Sequence, residues 1–282
     1  MERQSLAFRI FVYGAAGALA ILLLAPFLWL LLMSVSSTKD LTTIPLNWIP
    51  EQFDFSRYVQ LLTVAENSAG RAFIASLRNS ITVATIATLC AIGVGIPAGW
   101  AVSRAGERLN LALYTTVATY MLPPVALVVP MYLGLSALGL LNSVFSLAMV
   151  YLSILAPFTA WLLKSSFDNI PVAIEHAAMI DGARLDKILR RVTLPLAAPS
   201  LATAGLFAFL LAWDEFFYAL LFTSDQRAKT VTVAIADLAG GRIADYGLIA
   251  TAGILAAAPP VLIGFCLQKA LVSGLTAGGV KG

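Results

Sequence analysis

The sequence predicts an all-α membrane protein of about six transmembrane helices, with one polar helical insert between the fourth and the fifth. Composition and run length carry that class. Of the 282 residues only 12% are charged and 60% are hydrophobic, for a mean hydropathy of +0.88, whereas soluble domains carry roughly 25% charged residues. Several apolar runs also exceed the roughly 20 residues that cross the hydrocarbon core as a helix. A barrel of short alternating strands would not produce such runs.

The elements follow in order. The first run, Ile10 to Met33, lies behind Arg3 and Arg9; it is longer than the core of a signal peptide, about 7 to 15 residues, so it is expected to remain as an uncleaved first span. Ser36 to Asn79 mixes Pro45 and Pro50 with Trp48, Phe53 and Phe55, turn formers and interfacial aromatics that suit a segment lying along the membrane surface. The second span is read as Ser80 to Val102, the third as Leu109 to Leu135 and the fourth as Leu140 to Leu163. Pro123, Pro124 and Pro130 should interrupt the third, because each proline removes a backbone donor and clashes with the preceding turn.

The fifth span, Leu196 to Phe222, contains Trp213, Asp214, Glu215 and Tyr218. Its two carboxylates lie roughly 27 Å along the helix axis. Since a charge near the bilayer centre costs on the order of 3 kcal/mol, they should face a cavity or a partner helix. Thr223 to Asp245 forms a second outer segment whose alternating run, Thr230 to Ala234, could be a short strand or a surface loop, and whose Gly240-Gly241 pair favours reach. The sixth span is Tyr246 to Leu267, with Pro259-Pro260 expected to break it. With no internal repeat and no low-complexity tract, residues 1–282 read as a single membrane domain.

Charge orients the chain. With the start inside, Arg3, Arg9, Arg104, Arg108, Lys164, Arg184, Lys187, Arg190, Arg191, Lys269 and Lys281 fall on the cytoplasmic side, eleven of the eighteen Lys and Arg, which places both termini in the cytoplasm. The net charge of +3 is small and dispersed, giving no footprint for nucleic acid. Cys90 and Cys266 lie in separate apolar runs and read as small packing residues. His176 is the single histidine, so neither a metal site nor a histidine-based triad is expected.

The insert, Ile170 to Pro199, reads IPVAIEHAAMIDGARLDKILRRVTLPLAAP. Asp168 and Asn169 ahead of Pro171 predict a capped helix start, and Glu175 then suits the positive end of the helix dipole. Asp181-Gly182 should end that short helix and a second should run from Leu185 to Val192, making a compact helix-turn-helix. Ala173, Ala177 and Ala178 permit a close approach, Val172 and Ile180 supply apolar anchors, and Arg184, Lys187, Arg190 and Arg191 form a basic flank. By composition alone this is either a docking surface for another protein or an amphipathic helix on anionic lipid.

In its spacing the insert resembles the "EAA" loop of the membrane subunits of ATP-binding-cassette importers, in the form of the carbohydrate permeases. His176, Ala177, Ala178, Gly182, Val192, Leu194 and Pro195 fall on the motif positions, with His176 where the family has glutamate and Glu175 beside it. Asn79-Ser80 and the run from Ala98 to Arg104 resemble the frame of the family's second span, and Trp213-Asp-Glu-Phe216 resembles its "WNEF", with Asp214 in place of asparagine. The tail Gly274, Leu275, Thr276, Ala277, Gly278, Gly279, Val280, Lys281 and Gly282 resembles the end of the smaller of the two maltose-type permeases.

The resemblance implies a permease subunit of an ATP-driven carbohydrate importer in the bacterial inner membrane. Its partners would be a homologous permease, two ATPase subunits, an extracytoplasmic solute-binding protein, the carbohydrate and membrane lipid. Glu175, His176, Ala177, Ala178, Asp181, Gly182, Leu194 and Pro195 would couple to an ATPase, and the tail would reach between the paired ATPases. Tyr120, Pro123, Trp213, Asp214, Glu215 and Tyr218 are the candidates for a substrate path. No GxxxxGK[ST] loop is present, so no cofactor is expected in this chain, and ATP and Mg would be bound by partner subunits. An ion-coupled carrier acting without an ATPase would instead show inverted repeats. An intramembrane enzyme would show an HExxH pair or nucleophile and base spacing.

Overall fold

The computed structural model describes residues 6–66, 68–121, 123–240 and 245–277, and every regular element among them is helical. Five helical stretches are long and apolar enough to cross a membrane: Phe8–Val35, Ala69–Ala105, Val144–Asp168, Leu185–Trp213 and Tyr246–Gln268. The third expected span is instead two shorter apolar helices. The chain forms two compact units, one from Met1–Ile74 with Ala234–Ala258, the other from Ala75–Val233 with Pro259–Gly282.

In the first unit α1 (Leu6–Val35) is followed by the short α2 (Thr38–Thr42) and α3 (Ser56–Leu62). Trp48 packs on Trp29 of α1 with ring centroids 5.1 Å apart, so this aromatic of the connecting segment contributes to packing. Arg57 of α3 is buried and fully engaged: it donates to Asp245 Oδ2 at 3.1 Å, to Thr38 Oγ1 at 2.9 Å and to the Ser36 carbonyl at 2.5 Å. Its guanidinium occupies the space a Cβ on Gly247 would need, which makes glycine the residue that fits there.

The long helix α4 (Ala69–Ala105) starts eleven residues before the expected Ser80, because the Ser68 hydroxyl accepts the Arg71 amide at 3.1 Å and so initiates the helix. In the second unit α4 approaches α7 (Val144–Asp168) closely. A Cβ on Gly95 would lie 2.9 Å from Thr159 Oγ1, and one on Gly99 would lie 2.9 Å from both the Ala160 carbonyl and the Lys164 amide. This is the close contact that a glycine pair four residues apart permits between membrane helices. Leu163, Phe167, Ile170, Ala197 and Ala204 form the adjoining core, with Trp100 of α4 packed against it.

The third span breaks where its prolines predict. α5 (Glu107–Ala118) runs into a 3₁₀ turn, Thr119–Met121, and α6 (Pro124–Ala137) begins anew with Pro124 in its first turn. Pro130 does not interrupt α6, and Pro259-Pro260 do not break the last helix, which runs unbroken from Tyr246 to Ala277. Each proline removes one ladder bond, and helical hydrogen bonding continues on either side of it. Thr230 to Ala234 is also corrected: α12 (Val231–Ala239) is a helix, not a strand. It is held at its start by Ser80 Oγ, which accepts the Val231 amide at 2.8 Å, and Asn79 Nδ2 donates to the carbonyls of Gln226 and Lys229 just before it. Of the Gly240-Gly241 pair, Gly241 lies outside the described residues.

Candidate functional site

The insert departs from its expected construction at both ends. Asp168 is the last residue of α7 and Asn169 its C-cap, so neither caps the next helix. The Asp168 carboxylate is taken by Lys164 Nζ at 2.7 Å and Ser103 Oγ at 2.6 Å, while Asn169 Nδ2 donates back to the Ser165 carbonyl. α8 (Val172–Ile180) therefore starts from Pro171. It ends as predicted at Asp181-Gly182, with the Gly182 amide on the Met179 carbonyl and the Ala183 amide on the Ala178 carbonyl, a closure that uses the left-handed Gly182 at φ +80°. The second helix is not a separate element either. α9 (Leu185–Ile188) passes through a π turn, Leu189–Thr193, straight into α10 (Leu194–Trp213), with Pro195 in its first turn.

Glu175 does not lie on the outer face of this insert. It is 1% exposed and collects four donors: Arg104 Nε at 2.7 Å, Arg104 Nη2 at 3.0 Å, Thr193 Oγ1 at 2.6 Å and Trp100 Nε1 at 3.1 Å. Arg104 also donates to the Phe167 carbonyl at 3.2 Å. One carboxylate thus ties the end of α4, the end of α7, α8 and the π turn together. Burial alone would raise its pKa; the hydrogen bonds from Arg104, Thr193 and Trp100, with the guanidinium charge, outweigh burial and hold it below the usual glutamate range. From the sequence alone, Arg104 has only a place in the charge count and in a motif frame. Its partner stands 71 positions away, a pairing no local spacing reveals.

With Glu175 turned inward, Ala177 and Ile180 of α8 face outward, Ile180 being 87% exposed, while His176 and Met179 are exposed beside Glu175 and Ala178 is half-buried. Asp181 and Gly182 are exposed at the turn, Leu194 is half-buried and Pro195 exposed. A cavity of about 440 Å³ lies between this helix and the end of α4, lined by Trp100, Arg104, Val172, Glu175, His176 and Met179 among others.

The substrate-path candidates separate into two groups. Tyr120 of the 3₁₀ turn and Tyr218 of α11 (Phe217–Phe222) line one cavity of about 360 Å³, with Thr119, Pro124, Leu127, Ser153 and Ile154; Pro123 precedes it as the cap of α6. Trp213 is instead buried against Phe209, centroids 5.7 Å apart, and Asp214 is an exposed helix end. Glu215 serves the backbone: its carboxylate accepts the Tyr218 amide at 2.9 Å and the Ala219 amide at 3.2 Å, opening α11 after the break in the fifth span. In the tail, residues 274–277 continue the last helix instead of forming a loose strand of glycines; Gly278, Gly279, Val280, Lys281 and Gly282 lie outside the described residues.

Residues 91–277 match the family described as binding-protein-dependent transport system inner membrane component. The chain belongs to that family. It is 35% identical to the trehalose/maltose transport system permease protein MalG of Thermococcus litoralis, over 99% of each chain, and 35% identical to the sulfoquinovosyl glycerol transport system permease protein SmoH of Agrobacterium fabrum, over 95% of this chain and 92% of that one. Its fold is that of a solved chain of a bacterial ABC transporter involved in the import of the acidic polysaccharide alginate, with a TM-score of 0.76 at 22% identity, covering 95% of this chain and 99% of that one. As a family member it is a membrane permease subunit that works with a binding protein, which sets aside a carrier acting alone.

Proposed function

We propose that this chain is one permease of an ATP-driven carbohydrate importer and that the 170–195 insert couples it to an ATPase subunit. The observation that carries the coupling is the two-sidedness of α8: Glu175 latches one face to the membrane helices while Ala173, Ala177 and Ile180 stand exposed on the other. An apolar, small-residue face on a latched helix suits a protein groove that pushes on it, and a rigid latch passes that push to α4, α7 and α10. ATPase closure would then favour one state of the membrane helices over another, which requires differential contacts in the two states. The carbohydrate assignment is supported by relatives whose names specify sugars and glycosides.

In this reading both termini and the insert are cytoplasmic, Thr223 to Asp245 is outside toward the binding protein, a homologous permease completes the path, two ATPase chains hold ATP and Mg, and the 274–282 tail serves them. Ile180→Asp tests the coupling. The side chain is almost fully exposed, so the change leaves the fold intact while placing a charge in the docking face. Stimulation of ATP hydrolysis by the loaded binding protein should be lost in the purified complex. Full stimulation would reject the docking role, and failure of any ATPase chain to copurify with the tagged wild type would reject the importer.

A further inference from the structure

We infer that the groove between α6 and the start of α7 binds a glycerophospholipid, with an acyl chain in the groove, an ester carbonyl on the Ser146 hydroxyl and the phosphate toward Arg227. Its residues are separate from the substrate-path candidates, so the site stands whatever this chain transports. The groove is a cavity of about 320 Å³ lined by Met131, Gly134 and Leu135 of α6 and by Ser146, Met149 and Val150 of α7. Gly134 keeps it open: a Cβ there would meet nothing within 4 Å. Two methionines in the wall are unbranched and adaptable, which suits a flexible chain. None of the six lining residues is charged, so the part of a ligand that enters must be neutral.

One polar group stands in this apolar wall. Ser146 is 5% exposed, and its amide goes to Ser143 Oγ at 3.4 Å, yet its hydroxyl has no hydrogen-bond partner among the described residues. Helical hydroxyls commonly turn back to the carbonyl one turn earlier, as Thr159 does to Leu155 at 2.9 Å; Ser146 does not. A buried hydroxyl without a partner carries a desolvation cost that an incoming acceptor would remove. Depth selects the acceptor. The 25 residues of α7 span about 37 Å against a hydrocarbon core about 30 Å thick, so Ser146, the third of them, lies at the core's edge, where lipid ester carbonyls lie, whichever way the chain is inserted. Charge agrees with that choice. Asn142 ties the start of α7 to the next loop, its Oδ1 accepting the Ser224 amide and its Nδ2 donating to Ser224 Oγ at 2.8 Å. That loop carries Arg227 and Lys229 against Asp225, and the Arg227 side chain, paired with Asp225 at 2.7 Å, is still 75% exposed. A net positive rim beside a neutral apolar slot complements a phosphate on acyl chains.

The test photolyses phosphatidylglycerol carrying a diazirine in one acyl chain with the complex that copurifies with this chain, and maps the adducts by mass spectrometry. Adducts should fall on peptides 131–135 and 146–150 and be displaced by unlabelled phosphatidylglycerol. Ser146→Ala should raise the half-displacing concentration roughly three- to tenfold, the worth of one neutral hydrogen bond, with no fall in the thermal midpoint, and Ser146→Thr should restore it. Gly134→Phe, which fills the groove, should abolish the adducts. Adducts confined to other segments, or unchanged in Ser146→Ala and Gly134→Phe, would overturn the site. Displacement by hexadecane as effective as by the lipid would overturn the ester and phosphate contacts, and displacement by glycerol 3-phosphate would give the site to a free phosphate ester. A Gly134→Cys variant that crosslinks to another subunit of the complex would give the groove to that protein.

Discussion

Glu175→Gln is the most direct perturbation of the latch, because it keeps shape and removes charge. The carboxylate receives donors on both oxygens: Thr193, Trp100 and Arg104 Nη2 on Oε1, and Arg104 Nε on Oε2. A glutamine amide can keep its oxygen toward the first three, and its NH₂ then faces the Arg104 Nε–H, donor against donor. The guanidinium, its side chain 15% exposed, is left without its counter-charge. Removing one partner of a buried pair costs about 3–5 kcal/mol; the partial exposure of Arg104 places this case near the low end, about 3 kcal/mol, or roughly a hundredfold in the ratio of latched to unlatched insert.

The assay is the number of sugars transported per ATP hydrolysed by the reconstituted complex, alongside its thermal midpoint. Coupling should fall while ATP hydrolysis persists, because the ATPase still grips an α8 that no longer moves α4. Acid should act in the same direction. A carboxylate whose folded pKa lies below its unfolded value contributes stability fully present above the unfolded value, 4.5 for a model glutamate, and lost as pH falls through the depressed folded value. The wild type should therefore loosen below about pH 4.5, and the variant should lack that component. A variant that transports with wild-type stoichiometry and melts at the wild-type temperature would refute the latch.

Three further outcomes follow from the same geometry. Gly99→Leu should force α4 away from α7, since even a Cβ would meet the Ala160 carbonyl and the Lys164 amide at 2.9 Å; a loss of about 2 kcal/mol or more should appear as a lower thermal midpoint in detergent. Arg57→Ala should leave Asp245, the Ser36 carbonyl and the Thr38 hydroxyl without their donor and speed proteolysis of the 36–57 segment severalfold, with Arg57→Lys restoring part of the protection; equal rates in wild type and Arg57→Ala would show the arginine to be dispensable. A cysteine replacing Ala239, exposed at the end of α12, should react with an impermeant maleimide in intact cells, and reaction only after lysis would invert the topology.

What could be read in the chain was what the bilayer demands of it. Long apolar runs have few structural solutions, so the spans and the break at Pro123-Pro124 were legible, and the spacing of the insert was sufficient to place the family. Capping was not, because Asp168-Asn169 can close one helix or open the next. The bonds of Asp168 to Lys164 and to Ser103, the latter 65 positions away, with Asn169 turned back on the Ser165 carbonyl, decide for closing. Pro259-Pro260 misled in the opposite direction, because proline rules describe the cost of a break, and here helical hydrogen bonding continues on either side of the pair. The alternation at Thr230–Ala234 had the period of a strand but no neighbouring strand to pair with among the described residues; instead the Val231 amide goes to Ser80 Oγ and the carbonyls of this run enter α12 as its first turn.

The departure from the motif at His176 acquires a definite meaning once Glu175 is seen to face inward. Neighbouring residues of a helix diverge by about 100°, so the carboxylate at 175 is buried in the latch while the imidazole at 176 stands exposed at the edge of the cavity beside it. The latch uses 175 and survives here with four donors, whereas 176 is exposed. Histidine at 176 therefore leaves the four hydrogen bonds of the latch untouched, and under the proposed coupling it would alter only the side chain offered to the ATPase.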